Sequence, residues 1–183
     1  MAEYGASQMA NSFRTVRKNT LQIANDIPED KYDYVAAPGF KSVSELLRHI
    51  AYGTMIHYDF HRDKKLTTLQ GYDFGAYMAR SAAAESTPRS KAEIIVLLQD
   101  EGDKFAAWLE SLSSQMLGET FTDVMGQNPK TRLEHLLGAK EHEMHHRGQL
   151  MLIQRLIGMV PHLTRQMQER IRARATAAAA ATR

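Results

Sequence analysis

The chain has 183 residues, of which 43% are hydrophobic and 24% charged, a balance suited to one globular domain with a sizeable core. Its net charge of +2 is unevenly placed: residues 165–183 carry five arginines and one glutamate, +4 in all, which leaves −2 on residues 1–164. The basic character therefore belongs to the tail, and the body has no nucleic-acid footprint. The absence of cysteine excludes disulfides, thiolate metal sites and a cysteine nucleophile, so any metal must be held by His, Asp or Glu.

No apolar run approaches the roughly 20 residues that span a bilayer, and the start Met1-Ala2-Glu3-Tyr4 has neither the basic nor the apolar segment of a signal peptide. The expectation is a cytoplasmic protein with a small-molecule substrate and with no membrane or nucleic-acid partner.

The first helical pattern runs from about Ser7 to Ile27. Met9, Phe13, Val16, Thr20, Ile23 and Ile27 are spaced 4-3-4-3-4, a bundle seam with one polar member, and Pro28 ends it. A loop with Tyr32, Tyr34 and the turn pair Pro38-Gly39 follows. The second helix opens at Ser42, where Ser42 and Glu45 form a capping box, and its pattern of Leu46, His49, Ile50, Gly53 and His57 is expected to end near His61. Residues 62–87 are weakly patterned, with a short helix expected around Ala76–Ala84. The third helix starts near Pro88 or Ser90, with a Ser90/Glu93 box and a stripe of Ile94, Leu97, Leu98, Phe105, Trp108, Leu109 and Leu112. Glu119–Val124 has weak strand character. The fourth helix opens with a Thr131/Glu134 box, runs to about Ile157 and stops at Gly158, with Pro161 beyond. The Ala/Arg-rich end offers no apolar face and is expected to be frayed or disordered. These elements predict an all-α protein, a four-helix bundle with a long second-to-third connection in residues 1–164, followed by a basic tail in residues 165–183.

The chemistry concentrates in Glu141-His142-Glu143-Met144-His145-His146-Arg147-Gly148-Gln149-Leu150. His142 and His146 stand four residues apart on one helical stripe with Ala139, Leu150, Ile153 and Ile157, so both imidazoles point toward the core, one turn apart. Buried imidazoles need hydrogen bonds or a metal. His49 lies on an apolar stripe of another helix, and packing the two together predicts a three-histidine site of His49, His142 and His146 with open coordination positions. His145 faces away, His135 reads as polar lining or surface, His57 and His61 lie near the exit of the second helix, and His162 is expected to be exposed. Gln149 is placed to support a ligand histidine; Arg147 could anchor an anionic group or pair with Glu143. His142-Glu143-Met144-His145-His146 also satisfies H-E-x-x-H, the zinc-peptidase signature with the glutamate as base. The glycine and third histidine of one peptidase class are replaced by Gln149 and Leu152, Glu169 lies past Gly158 and Pro161, and the strands of a peptidase cleft are missing.

Phe13-Arg14, Ser42-Val43-Ser44-Glu45-Leu46-Leu47-Arg48-His49 and the His142–Leu150 block together resemble the DinB/YfiT-like family, over roughly residues 8–158. The resemblance implies a four-helix bundle holding a divalent metal through one histidine of the second helix and two of the last, here His49, His142 and His146. It further implies a metal-dependent hydrolase or a transferase using a low-molecular-weight thiol, and a homodimer. An all-imidazole shell suits zinc or nickel rather than magnesium or calcium. The competing reading is a non-enzymatic bundle that binds a metal or ligand; an open, accessible coordination site would favour chemistry and a closed one structure.

Overall fold

Three of the long helices begin where a hydroxyl and a glutamate satisfy each other's backbone. Ser42 with Glu45, Ser90 with Glu93 and Thr131 with Glu134 each form a reciprocal capping box. The computed structural model describes residues 4–181; residues 1–3 and 182–183, which include the start of the chain and the last of the tail, lie outside the described residues. Helix α1 spans Ala6–Asp26, α2 Val43–Tyr52, α3 Met55–His57, α4 Phe74–Ser86, α5 Lys91–Glu110, α6 Ser114–Gly118, α7 Arg132–Leu156 and α8 His162–Ala181. The weak strand signal is real but small: β1 (Thr120–Phe121) pairs antiparallel with β2 (Lys130–Thr131). Helices α1 and α2 each pack on both α5 and α7, which gives the four-helix bundle, and α4 packs on α2. Among the described residues no helix is long and apolar enough to cross a membrane.

The bundle has two apolar cores rather than one. At one end Ile23, Ile27, Leu47, Ile50, Ile94, Leu98, Leu150 and Ile153 meet; at the other, Met9, Phe13, Tyr58, Phe105, Leu109 and Leu136. A polar layer separates them. Arg17 of α1 reaches Glu143 of α7 with its Nε 3.0 and 3.1 Å from the two carboxylate oxygens, and also donates to the Leu98 and Ile50 carbonyls. Both side chains are almost wholly buried. The layer needs Gly102 on α5, because a Cβ there would stand 2.7 Å from Arg17 Cγ.

Two elements depart from the sequence reading. The second helix does not run unbroken to His61: it breaks at Gly53, restarts as α3 and widens into a π-helical turn at Tyr58–Asp63, which turns both His57 and His61 inward. The tail is helical through Ala181 instead of irregular, as its alanine content favours. Its first turns are tied down by Arg165 Nη2 to Asp26 at 2.8 Å and by Arg155 Nη2 to the Thr164 hydroxyl at 3.1 Å, while residues 166–180 are exposed. His162, expected at the surface, is buried against Asn19 at 3.2 Å.

Candidate metal centre

Helix α2 presents His49 and helix α7 presents His142 and His146 to the same point. His49 Nε2 lies 3.1 Å from His142 Nε2, and His146 Nε2 lies 3.2 Å from it. Two nitrogens each about 2.0–2.1 Å from one zinc-like ion at a near-tetrahedral angle stand about 3.3 Å apart. The observed spacing fits that donor geometry, and the three sequence-predicted histidines are brought together.

His49 Nδ1 is 2.9 Å from Glu85 Oε1. Burial pushes the Glu85 carboxyl up, but the bonds and charges of His49 and Lys41 outweigh it and hold it below its ordinary value, so it is an ionised acceptor. His49 Nδ1 therefore donates to Glu85, which leaves Nε2 as the nitrogen turned to the shared point. His146 Nδ1 is 2.8 Å from Gln149 Oε1, whose amide nitrogen is turned 3.3 Å toward His145, so His146 Nε2 is bare. His142 Nε2 can offer at most one proton to the two nitrogens facing it. Burial, then the neighbouring His146 and His49, push the His142 pKa down to about 4, and burial pushes His146 down despite its bond to Gln149. His142 and His146 thus stay neutral near pH 7, and all three rings turn Nε2 toward one point, an arrangement that a cation completes.

Residues 12–150 match the DinB superfamily. The chain belongs to the DinB superfamily. It is 24% identical over 155 residues to the uncharacterised protein YjoA of Bacillus subtilis, covering 84% of this chain and 91% of YjoA. The crystal structure of YjoA, called a DinB-like protein, superposes with a TM-score of 0.62 at 25% identity over 84% of this chain and 93% of that one. The structure of YfiT from Bacillus subtilis, described as a probable metal-dependent hydrolase with an unusual four-helix bundle topology, superposes with a TM-score of 0.64 at 17% identity, covering 87% and 91% of the two chains. A DinB-like protein of Bacillus cereus gives 0.62 at 17% identity over 84% and 93%.

In this DinB protein an open cavity of about 690 Å³ reaches two of the three histidines, with His49, His142, Gly53 and Glu85 in its wall. Gly53 makes room for the centre: a Cβ there would stand 2.7 Å from His142 Cε1 and 2.8 Å from its Nδ1. Glu85, which orients His49, comes from α4, the element that the weak patterning of residues 62–87 described least; nothing local in the sequence links it to a histidine 36 residues earlier. Gln149 takes the supporting place expected of it.

The H-E-x-x-H peptidase reading does not survive. Glu143 leaves the ligand face and is buried in its ion pair with Arg17, so it cannot reach a water beside His142 and His146. The same pair corrects the suggested Arg147–Glu143 contact. His145 is exposed. His57 and His61, expected near a helix exit, are buried instead, and with His135 they form a second histidine group.

Proposed function

We propose that His49, His142 and His146 hold one divalent cation of zinc or nickel type and that the protein is a metal-dependent hydrolase acting on a small molecule in the adjoining cavity. The observation that carries this reading is the convergence of three imidazoles, two of them oriented by Glu85 and Gln149, beside an open cavity that His49 and His142 line. An accessible centre of this kind favours chemistry over a purely structural ion. The description of YfiT as a probable metal-dependent hydrolase points the same way.

A divalent ion bound by three neutral ligands keeps its full charge and acidifies a coordinated water, or a thiol supplied from solution. The protein's own residues do the positioning. Glu85 and Gln149 fix the tautomers and ring planes of His49 and His146. His145 turns the Gln149 amide so that its oxygen faces His146. Gly53 keeps the space in which the His142 ring lies.

Elemental analysis of the purified protein tests the site, beside His49→Ala, His142→Ala, His146→Ala and His145→Ala. The expected result is about one metal per chain in the wild type and in His145→Ala, and its loss from the other three. Equal content in all four variants would refute the ligand assignment. A panel of esters, amides and thiol-acceptor pairs then separates hydrolysis from thiol transfer, the second reaction that family resemblance implies, and metal uptake without turnover of any of them would favour the binding-protein reading. Sedimentation of the same preparation tests the implied homodimer.

A further inference from the structure

The second histidine group lies along the same cavity. One nitrogen from each of His57, His61 and His135 falls within 4.8 Å of the others, and His57 and His135 share the cavity wall with His49 and His142. Spacing alone would make this a second metal site, but the hydrogen bonds argue for a different use.

Arg132, 2% exposed, places Nη1 2.9 Å from His61 Nδ1 while Glu119 holds its Nε at 2.7 Å. A guanidinium only donates, so His61 Nδ1 must accept and the His61 proton sits on Nε2. That Nε2 is 2.9 Å from His135 Nδ1, which therefore accepts in turn. The His135 proton is left on its Nε2. Among the described residues this nitrogen has no hydrogen-bond partner, and it is not among the buried polar atoms that lack one, so it is open to a ligand. A metal held by His61 Nε2 and His135 Nδ1 would need both as bare lone pairs. The His61 proton would then move to Nδ1 and face the Arg132 N–H, donor against donor, with the cation beside a guanidinium. Burial, then the charges of Lys130 and Arg132, keep His135 neutral, which preserves the direction of the chain.

The cations nearest His135 are Lys130 and Arg132, while the cavity's carboxylates include Glu85, held by His49 and Lys41, and Glu141. Lys130 lines the same two cavities as His135, and the nearby Glu134 carboxylate is taken up by the Thr131 amide at 2.7 Å and its hydroxyl at 2.8 Å. We propose that Arg132, His61 and His135 form a directed hydrogen-bond chain whose open end, the His135 Nε2–H on the wall shared with Lys130, binds a carboxylate oxygen of the substrate. The proposal rests on the reading of the large cavity as the substrate site. It makes the substrate class a small carboxylate-bearing molecule, with its anionic group at His135 and its reacting atom toward His49 and His142.

Nitrogen-15 NMR of histidine-labelled, full-length protein carrying its metal tests this. His61 and His135 should both show a protonated Nε2 and an unprotonated Nδ1, with one metal per chain. Acetate, used as the carboxylate probe, should shift the His135 Nε2 signal saturably. His135→Phe, which suits a site already packed by Phe60 and Phe121, should weaken acetate binding about tenfold or more, the loss of one hydrogen bond to a charged group. His135→Gln, which restores an N–H at similar reach, should retain most of it, and both variants should keep their metal. A second metal equivalent lost from His135→Phe, or metal-type shifts at His61 Nε2 and His135 Nδ1, would overturn the proposal in favour of a second metal site. Unchanged acetate affinity in His135→Phe would overturn it outright. A wild type without metal would remove the hydrolase reading, while the tautomer and acetate results would still decide this one.

Discussion

Gly53→Ala tests the proposed centre through a residue that is not one of its three histidines. Gly53 has φ −58° and ψ −19°, a helical conformation that alanine accepts without strain. The backbone alone would gain about 0.4–1 kcal/mol from the exchange. The new Cβ, however, would stand 2.7 and 2.8 Å from two atoms of the His142 ring and 3.3 Å from the His49 carbonyl. The ring contacts fall about 0.6–0.7 Å short of the 3.4 Å at which ordinary contact begins. The imidazole must retreat by about that much, whereas ligand distances tolerate about 0.2 Å. We expect zinc affinity to fall by about 10–100-fold, the cost typical of disturbing a ligand's support, or about 1.4–2.7 kcal/mol. The metal-free protein should melt within about 4 °C of wild type, because the backbone gain and the clash oppose each other. Competition against a chelating dye gives the affinity, and a melt in chelator gives the fold. Wild-type zinc affinity in Gly53→Ala would refute the reasoning, because it would mean that the His142 ring is not held where zinc needs it.

Four further outcomes follow from the same geometry. Glu85→Ala should lower zinc affinity about 10–100-fold by freeing the His49 ring, whereas Glu85→Gln, which can still accept at the same oxygen, should lose less; competition titrations compare them. Arg17→Met should cost roughly 3–5 kcal/mol, or about 6–20 °C in melting temperature, by leaving Glu143 buried without its partner, and an Arg17→Met/Glu143→Leu double variant should recover much of that. In metal-free protein, His57, His61 and His142 have pKa values pushed down to about 3, 2 and 4 by burial and by neighbouring charges. The unfolded chain therefore binds protons near pH 6.5 that the folded chain refuses, so stability is complete above about pH 6.5 and declines as pH falls toward 4; melting temperatures that stay flat from pH 7 to 5 would contradict this. Truncation after Ala173 should leave melting temperature and metal content unchanged, because residues 166–180 are exposed while the anchoring Arg165–Asp26 contact is retained.

The helices were legible because their signals are local. Each capping box is a four-residue pattern, and the 4-3 spacing of Met9 to Ile27 needs no tertiary partner to be read. The pairing of His142 with His146 was visible for the same reason, and the inward stripe of His49 suggested its partner helix. What escaped were contacts between distant segments. Glu85 meets His49 across 36 residues, Arg17 meets Glu143 across 126, and Arg132 meets His61 across 71. A regular second helix would leave His57 and His61 peripheral; the break at Gly53 and the π-helical turn rotate them into the interior. His162 was misplaced because Asn19, its partner, lies 143 residues away.

The polar layer between the two cores links stability to the site. A buried Arg–Glu pair is weak evidence for stability, since apolar replacements of similar volume often do as well. Its value here lies in position. Glu143 is the residue after His142, so the Arg17 bond sets the rotation of α7 about its axis just where the proposed ligands His142 and His146 leave it. Rotating α7 by one residue would carry His142 and His146 through about 100° and would leave the Arg17 guanidinium buried without its carboxylate. The bundle therefore sacrifices a continuous core to hold one helix in a single rotational setting. Capping fixes where α7 begins, the ion pair fixes which way it faces, and Gly53 keeps the room that His142 needs. Each of these acts from outside the three histidines: substitution at Arg17 should lower folding stability and, through the setting of α7, metal affinity as well, whereas Gly53→Ala should act chiefly on metal affinity.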